Sequence, residues 1–309
     1  MPRSRRTTAG RARENSPVHY LSSLFPVAPG PGVPGDPGLF GPRSQAWRIA
    51  RERALLAAGP AALLLQLAHP LVAAGVAEHS DFHADPLHRL RGTLDVTCTV
   101  VFGDTVQATV AAARVAERHR SVSGRTTSPV GRFPAGTGYQ ASDPRLALWV
   151  HATLLWSALE LYDGFVAPLT PAQRTAYVAD MAVFGRLFGV PEELDLSTSA
   201  DLDAYVAAMA EDGVLEVGAQ ARALAADVLD GASADLVPPL RGGSRALAKV
   251  LAAGLLPRRL RAGYRLAWGR REQRAFTALR LTTRAALPAV PAHLRYWPHH
   301  QVARDRLGR

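Results

Sequence analysis

LWVHATLLWSALELYDGF, Leu148–Phe165, is the stretch on which the reading of the fold turns. At helical period His151, Leu155, Ala158 and Tyr162 share one face, while Trp149 and Trp156 occupy another. A helix that is apolar on every side belongs in the middle of a core built by other helices, not on a surface. The chain around it repeats the helical period, and beyond residue 44 it offers no credible series of alternating strands. Helices are expected at Pro42–Gly59, Pro60–His79, Asp85–Phe102, Asp104–Val122, Pro144–Val166, Pro171–Phe188, Ala200–Asp212, Leu215–Leu229, Ser244–Leu255 and from Pro257 to Thr283. The expected class is all-α, as one multi-helix domain over residues 39–309. Residues 1–38, basic and rich in Pro and Gly, read as a disordered leader.

Several helix starts have a local cause. Thr170-Pro171-Ala172-Gln173 offers a capping threonine, a proline where no amide donor is needed, and a glutamine to close the box. Pro257 in GLLPRRLRAGYRLAW ends one helix and opens another. The one long irregular segment, Ser123–Ser142, joins two strongly helical stretches, and a loop of that length in a compact domain is either mobile or functional.

At 309 residues and 48% hydrophobic content the chain can bury a sizeable core. Its single cysteine, Cys98, excludes an intrachain disulfide and a multi-cysteine metal cluster, so a reducing cytoplasm suits it. The net charge of +10 is unevenly spread: residues 1–14 carry +4 and residues 241–309 carry +14, which leaves −8 for the middle. Such an Arg-rich C-terminal region suits peripheral contact with anionic lipid, or pairing with the body's own acids, and no nucleic-acid-binding motif accompanies it. The twin arginine near the start is followed by no apolar segment, so no export signal is expected. The long apolar run Ala54–Ala77 is interrupted by Pro60 and Pro70, which favours a helix pair over a membrane span.

Phosphate-loop, dinucleotide, zinc-protease and nucleophile-elbow signatures are all missing. What remains is a set of polar residues in apolar helices. Ala108, Ala112, Val115 and His119 share a face, so an imidazole stands at the end of a stripe of small side chains. Such a histidine is either a hydrogen-bonded core residue or, where the stripe leaves room for something flat, an axial haem ligand. Arg89 and Thr93 are four apart at the mouth of another apolar face, where Arg89 can stabilise bound oxygen or simply pair with Asp85. His151 is either a structural core residue or part of a pocket wall. In QLAHPLVAAGVAEHS, His69 precedes a proline and is expected to brace a helix junction, while Glu78 and His79 sit just before the segment that delivers Arg89. Glu117 and Glu160 have no histidine three residues on, so a di-iron bundle is not indicated.

QLAHPLVAAGVAEHS, DPLHRLRGT, VFGD, ERHRSVSG, GYQASDPRLALWVHATL and GLLPRRLR, in that order, resemble the catalytic domain shared by latex-clearing rubber oxygenases and the endoplasmic-reticulum oxygenase of mycophenolate biosynthesis. The resemblance runs from about Leu39 to the C-terminus. It implies a globin-like helical fold, haem b with its iron, dioxygen chemistry, and an apolar, isoprenoid-like substrate. By motif position it implies His119 as the proximal iron ligand and Arg89 and Thr93 as the distal pair, and the shared face then puts Val115 and Ala112 along the cofactor. Gly92 stands where rubber oxygenases carry a distal lysine, so a small apolar metabolite is expected in place of rubber. The alternative class is a non-catalytic helical protein that binds a hydrophobic ligand or an anionic membrane surface.

Overall fold

The computed structural model describes residues 26–79, 86–234 and 238–309. The class is all-α. At its centre lies α6 (Pro144–Leu161), started by Pro144 in its first turn and by the Asp143 carboxylate, which accepts the Arg145 N–H at 2.8 Å. Trp149, Leu155 and Leu159 on it are fully buried, and the helix runs on through a wide turn at Tyr162–Val166. Around it pack α2 (Gly59–Leu67), α7 (Pro171–Leu187) and α8 (Ser199–Glu211); α9 (Ala219–Ala234) closes over α2 and α3 (Pro70–His79), and α10 (Pro238–Leu255) packs on α9. The Thr170 capping box starts α7 as its sequence requires, with the Gln173 N–H on Thr170 Oγ1 at 3.2 Å.

Four expected elements differ. Pro42–Gly59 is not one helix but α1 (Gln45–Ala50) and a 3-10 helix at Arg53–Ala58. The break is Glu52, whose extended backbone bridges Tyr296 and whose carboxylate takes two 2.8 Å bonds from Arg295, a partner 243 residues away. Pro60–His79 is α2 and α3, and the run from Arg53 to Leu67 meets α3 at 108° because Pro70 cannot continue the helical ladder. The expected helix from Pro257 is α11 (Arg258–Gly263) and α12 (Arg270–Ala286). Between them the Tyr264 hydroxyl is anchored on the Leu64 carbonyl at 2.6 Å, and Arg265 turns the chain at φ 55°. The irregular segment after α5 (Thr105–Arg120) holds a two-stranded hairpin, β1 (Ser123–Arg125) with β2 (Gly138–Gln140). Three-residue strands lie below the length at which alternation can be read.

The chain ends in α13 (Ala292–Arg295) and α14 (Pro298–Arg306), neither anticipated from sequence. Arg306 is buried, and its guanidinium donates to the carbonyls of Phe102 and Gly103 at the end of α4 (Pro86–Phe102). The leader boundary at residue 38 also moves. The Val33 N–H donates to Asp104 at 2.8 Å, Gly35 to the Arg306 carbonyl at 2.9 Å, and Gln107 to Gly30 at 2.9 Å, so residues from 30 onward are part of the body. Among the described residues no single helix is long and apolar enough to cross a membrane.

Candidate functional site

α4 and α5 (Thr105–Arg120) are joined by two residues, Gly103 and Asp104, and pack against each other. Asp104 is buried and starts α5 with a complete capping box, its carboxylate accepting the Gln107 N–H at 2.7 Å. In such a hairpin, residues equally far from the joint lie level with one another. Arg89 is 14 residues before Gly103 and His119 is 15 after Asp104, so each stands near the end of its helix that is remote from the joint. Thr93 is exposed, one turn nearer the joint, and the Arg89 side chain lies outside the described ones.

His119 is half-buried in the last turn of α5. Its carbonyl accepts the Val122 N–H at 3.1 Å, and the chain goes directly into β1. Along the same face Val115 is half-buried, whereas Ala108 and Ala112 are covered, Ala112 as part of the main apolar core. The small residues nearest the joint therefore serve helix packing, and the accessible end of the face is Val115–His119.

The hairpin brings in a residue that sequence reasoning missed. In the register Gly124 faces Tyr139, and Tyr139, only 7% exposed, points its ring toward α3. The Tyr139 hydroxyl donates to Glu78 Oε2 in the last turn of α3, and the Tyr139 and His79 rings meet edge to face at 6.1 Å. His79 Nε2 lies 3.0 Å from the Ser123 carbonyl. A carbonyl can only accept, so Nε2 carries the proton in this contact. Two glycines make the approach possible: a Cβ at Gly124 would reach Glu78 Oε2 at 2.7 Å, and one at Gly75 would already touch the Tyr139 ring at 3.4 Å. Burial first, then the hydrogen bond to Glu78 and its charge, push the Tyr139 hydroxyl well above the usual phenol range, so it is a donor at every ordinary pH. The signal available in the sequence was the single aromatic of GYQASDP inside the long irregular segment.

The other two histidines are placed elsewhere. His69 sits at the α2–α3 break, its Nδ1 accepting the Leu71 N–H at 3.3 Å and its ring 5.5 Å from Phe133. Burial and the nearby Arg132 charge lower it to about 4, against a smaller pull from Asp143, so it is neutral. His151 lies between α6 and α7, parallel to Phe184 at 6.0 Å, in space left by Gly185, where a Cβ would come within 3.0 Å of the ring. Burial lowers it to about 4, opposed by a hydrogen bond to the Met181 carbonyl, and its Nδ1 has no partner among the described residues.

The donor chemistry can be tested against the implied cofactor. Among the described residues no three His, Cys, Asp or Glu side chains gather closely enough to hold a bare metal ion. Haem needs only one imidazole from the protein, because the macrocycle supplies the rest of the coordination. A half-buried His119 at a helix end, followed by a hairpin whose strands meet Glu78 and His79 of α3 through Tyr139 and Ser123, fits that requirement.

Comparison with known proteins adds three findings. The family described as "ER-bound oxygenase mpaB/B'/Rubber oxygenase, catalytic domain" matches residues 47–285. Uncharacterized protein Mb2261 of Mycobacterium bovis and uncharacterized protein Rv2237 of Mycobacterium tuberculosis are each 29% identical over 238 residues, which covers 75% of this chain and 89% of theirs. No solved structure matches.

Proposed function

Because the chain belongs to the family of mpaB and rubber oxygenase catalytic domains, we propose that it is a haem-b-dependent oxygenase of an apolar small molecule, isoprenoid-like in character. The observation that carries this reading is the meeting, at one end of the fold, of the Glu78–Tyr139 and His79–Ser123 contacts with the helix end that bears His119. His119 is the side chain that would hold the iron, with Val115 beside the macrocycle, in a globin-like manner. Haem, when bound, supplies the electron chemistry with dioxygen, and the protein supplies ligation, polarity and exclusion of water.

The chain's own groups divide the remaining work. Arg89 and Thr93, one turn apart on α4, would present a cation and a hydroxyl to bound oxygen. Glu78 is held in one orientation by the Tyr139 O–H that it accepts, and His79, one residue away, is held by the Ser123 carbonyl. The apolar substrate would lie along α3 and α6, and the reaction is placed in the cytoplasm, with the substrate drawn from apolar metabolites.

Absorbance of the purified or haem-reconstituted protein tests the reading. A Soret band is expected that is lost in His119→Ala and retained in His69→Ala and His151→Ala. No band in the parent, or an unchanged band in His119→Ala, would sink it. Oxygen consumption with a terpenoid panel should then fall in Arg89→Ala and in Tyr139→Phe while the band persists.

A further inference from the structure

α12 is a 17-residue helix of which only Phe276 is buried. It docks through one face: Phe276 against Phe165 and Trp268, and the Arg284 guanidinium on the Asp163 carbonyl. The opposite face, Arg271, Arg274, Ala278, Leu281 and Ala285, is exposed along its whole length, Leu281 by 65%. The chain then continues as AALPAVPAHL, Ala285–Leu294, in which every residue but Leu287 and Val290 is exposed, Leu294 by 56%. A single exposed leucine is ordinary, but a continuous apolar run of ten residues with His293 as its one polar member marks an interaction surface.

The charge around this run is one-sided. Residues 258–294 hold nine arginines and one acid, Glu272, a net of +8. Glu272 is itself engaged at the helix start, where it accepts the Gly269 N–H at 2.8 Å. Arg53 adds a further cation beside the run, donating to the Leu294 carbonyl at 3.4 Å. The outer face of α12 is graded along its length, basic from Arg270 to Arg274 and apolar from Ala278 onward. Nucleic acid would ask for aromatic platforms among the arginines, yet the Trp268 ring is covered by the Arg261 guanidinium at 4.3 Å. Phosphate groups lying over a hydrocarbon boundary match both halves of the gradient.

We propose that α12 and Ala285–Leu294 form a docking surface for an anionic lipid bilayer, with Leu281, Leu294 and the Pro-Ala run entering the headgroup boundary and Arg270, Arg271 and Arg274 resting on lipid phosphates. Contact is tilted: the apolar C-terminal end goes deeper and the basic end stays at the phosphate level. The proposal does not depend on haem or on the reaction, since none of these residues belongs to the site around His119.

Sedimentation of the full chain with vesicles of phosphatidylcholine alone, and of phosphatidylcholine mixed with phosphatidylglycerol, tests it. The parent should sediment with the mixed vesicles, weakly with the neutral ones, and lose binding at high ionic strength. Arg271→Gln with Arg274→Gln should weaken binding about 25-fold, at about fivefold per arginine. Leu281→Ser with Leu294→Ser should weaken it about tenfold or more. All four side chains are exposed, so helical content by circular dichroism should not change in either pair. Equal sedimentation with neutral vesicles, none with mixed vesicles, or variants that sediment like the parent each overturn the proposal. So does a parent that forms a dimer, separated by the leucine pair, without binding vesicles, because the face then belongs to a second copy.

Discussion

Acidification is the perturbation whose size can be worked out most directly. His69, His151, His299 and His300 are all buried, and burial lowers each of them to about 4; Arg132 adds to this at His69, and Arg51 and Arg304 at His300. In the unfolded chain each titrates near the ordinary histidine value of about 6.5. Between those two values the unfolded chain binds protons that the folded chain refuses. Stability is therefore complete above about pH 6.5 and is lost as the pH falls toward 4. From about pH 7.5 to about pH 5.5 the loss is about 1.4 kcal/mol per histidine, or about 5 kcal/mol for four. That rivals the whole stability of many domains, about 5–15 kcal/mol, and most carboxylates titrate below this window. Urea unfolding at a series of pH values should show the midpoint falling steeply over this range, and His151→Leu should remove about a quarter of the slope. A midpoint that is flat down to about pH 5.5, or a His151 ring proton titrating above about pH 6 by NMR, would refute the reasoning and reopen His151 as a solvated or ligating group.

Three further outcomes follow from packing. Arg295→Met leaves the fully buried Glu52 carboxylate, among the described residues, with Arg51 at 3.9 Å as its cation, and should lose about 3–5 kcal/mol in urea unfolding, while Glu52→Gln with Arg295→Met should recover much of it. A Cβ at Gly254 would run into the Phe276 ring, so Gly254→Ala should destabilise by about 1–3 kcal/mol despite a better helix propensity, seen as a lower midpoint and faster proteolysis of α12. Asp104→Ala removes acceptors from the Gln107 and Val33 amides together, and should cost about 2 kcal/mol and raise hydrogen exchange in the first turn of α5 and in residues 30–38.

The helices that could be read from the sequence are those whose cause is local. LWVHATLLWSALELYDGF declares a buried helix by composition alone, and Thr170–Gln173 and Pro257 mark boundaries through capping and a missing amide proton. His119, Arg89 and Thr93 could be singled out because helical period fixes which residues share a face. Tyr139 could not, because its partner is 61 residues away and its hairpin is too short to show alternation. The break at Glu52, the anchoring of residues 30–38 on Asp104 and Arg306, and the bend at Tyr264 were equally hidden, each depending on a partner remote in the chain.

The sequence by itself determined that this is a helical protein with a sizeable apolar core and a basic C-terminal region, since period, capping and composition act within a few residues. Tertiary structure alone decided that Glu78 faces Tyr139, that His151 is packed against Phe184, and that the AALPAVPAHL run stays on the surface. Those outcomes depend on which helix ends meet, and that is set by close packing and by hydrogen bonds between distant residues, which no local pattern encodes.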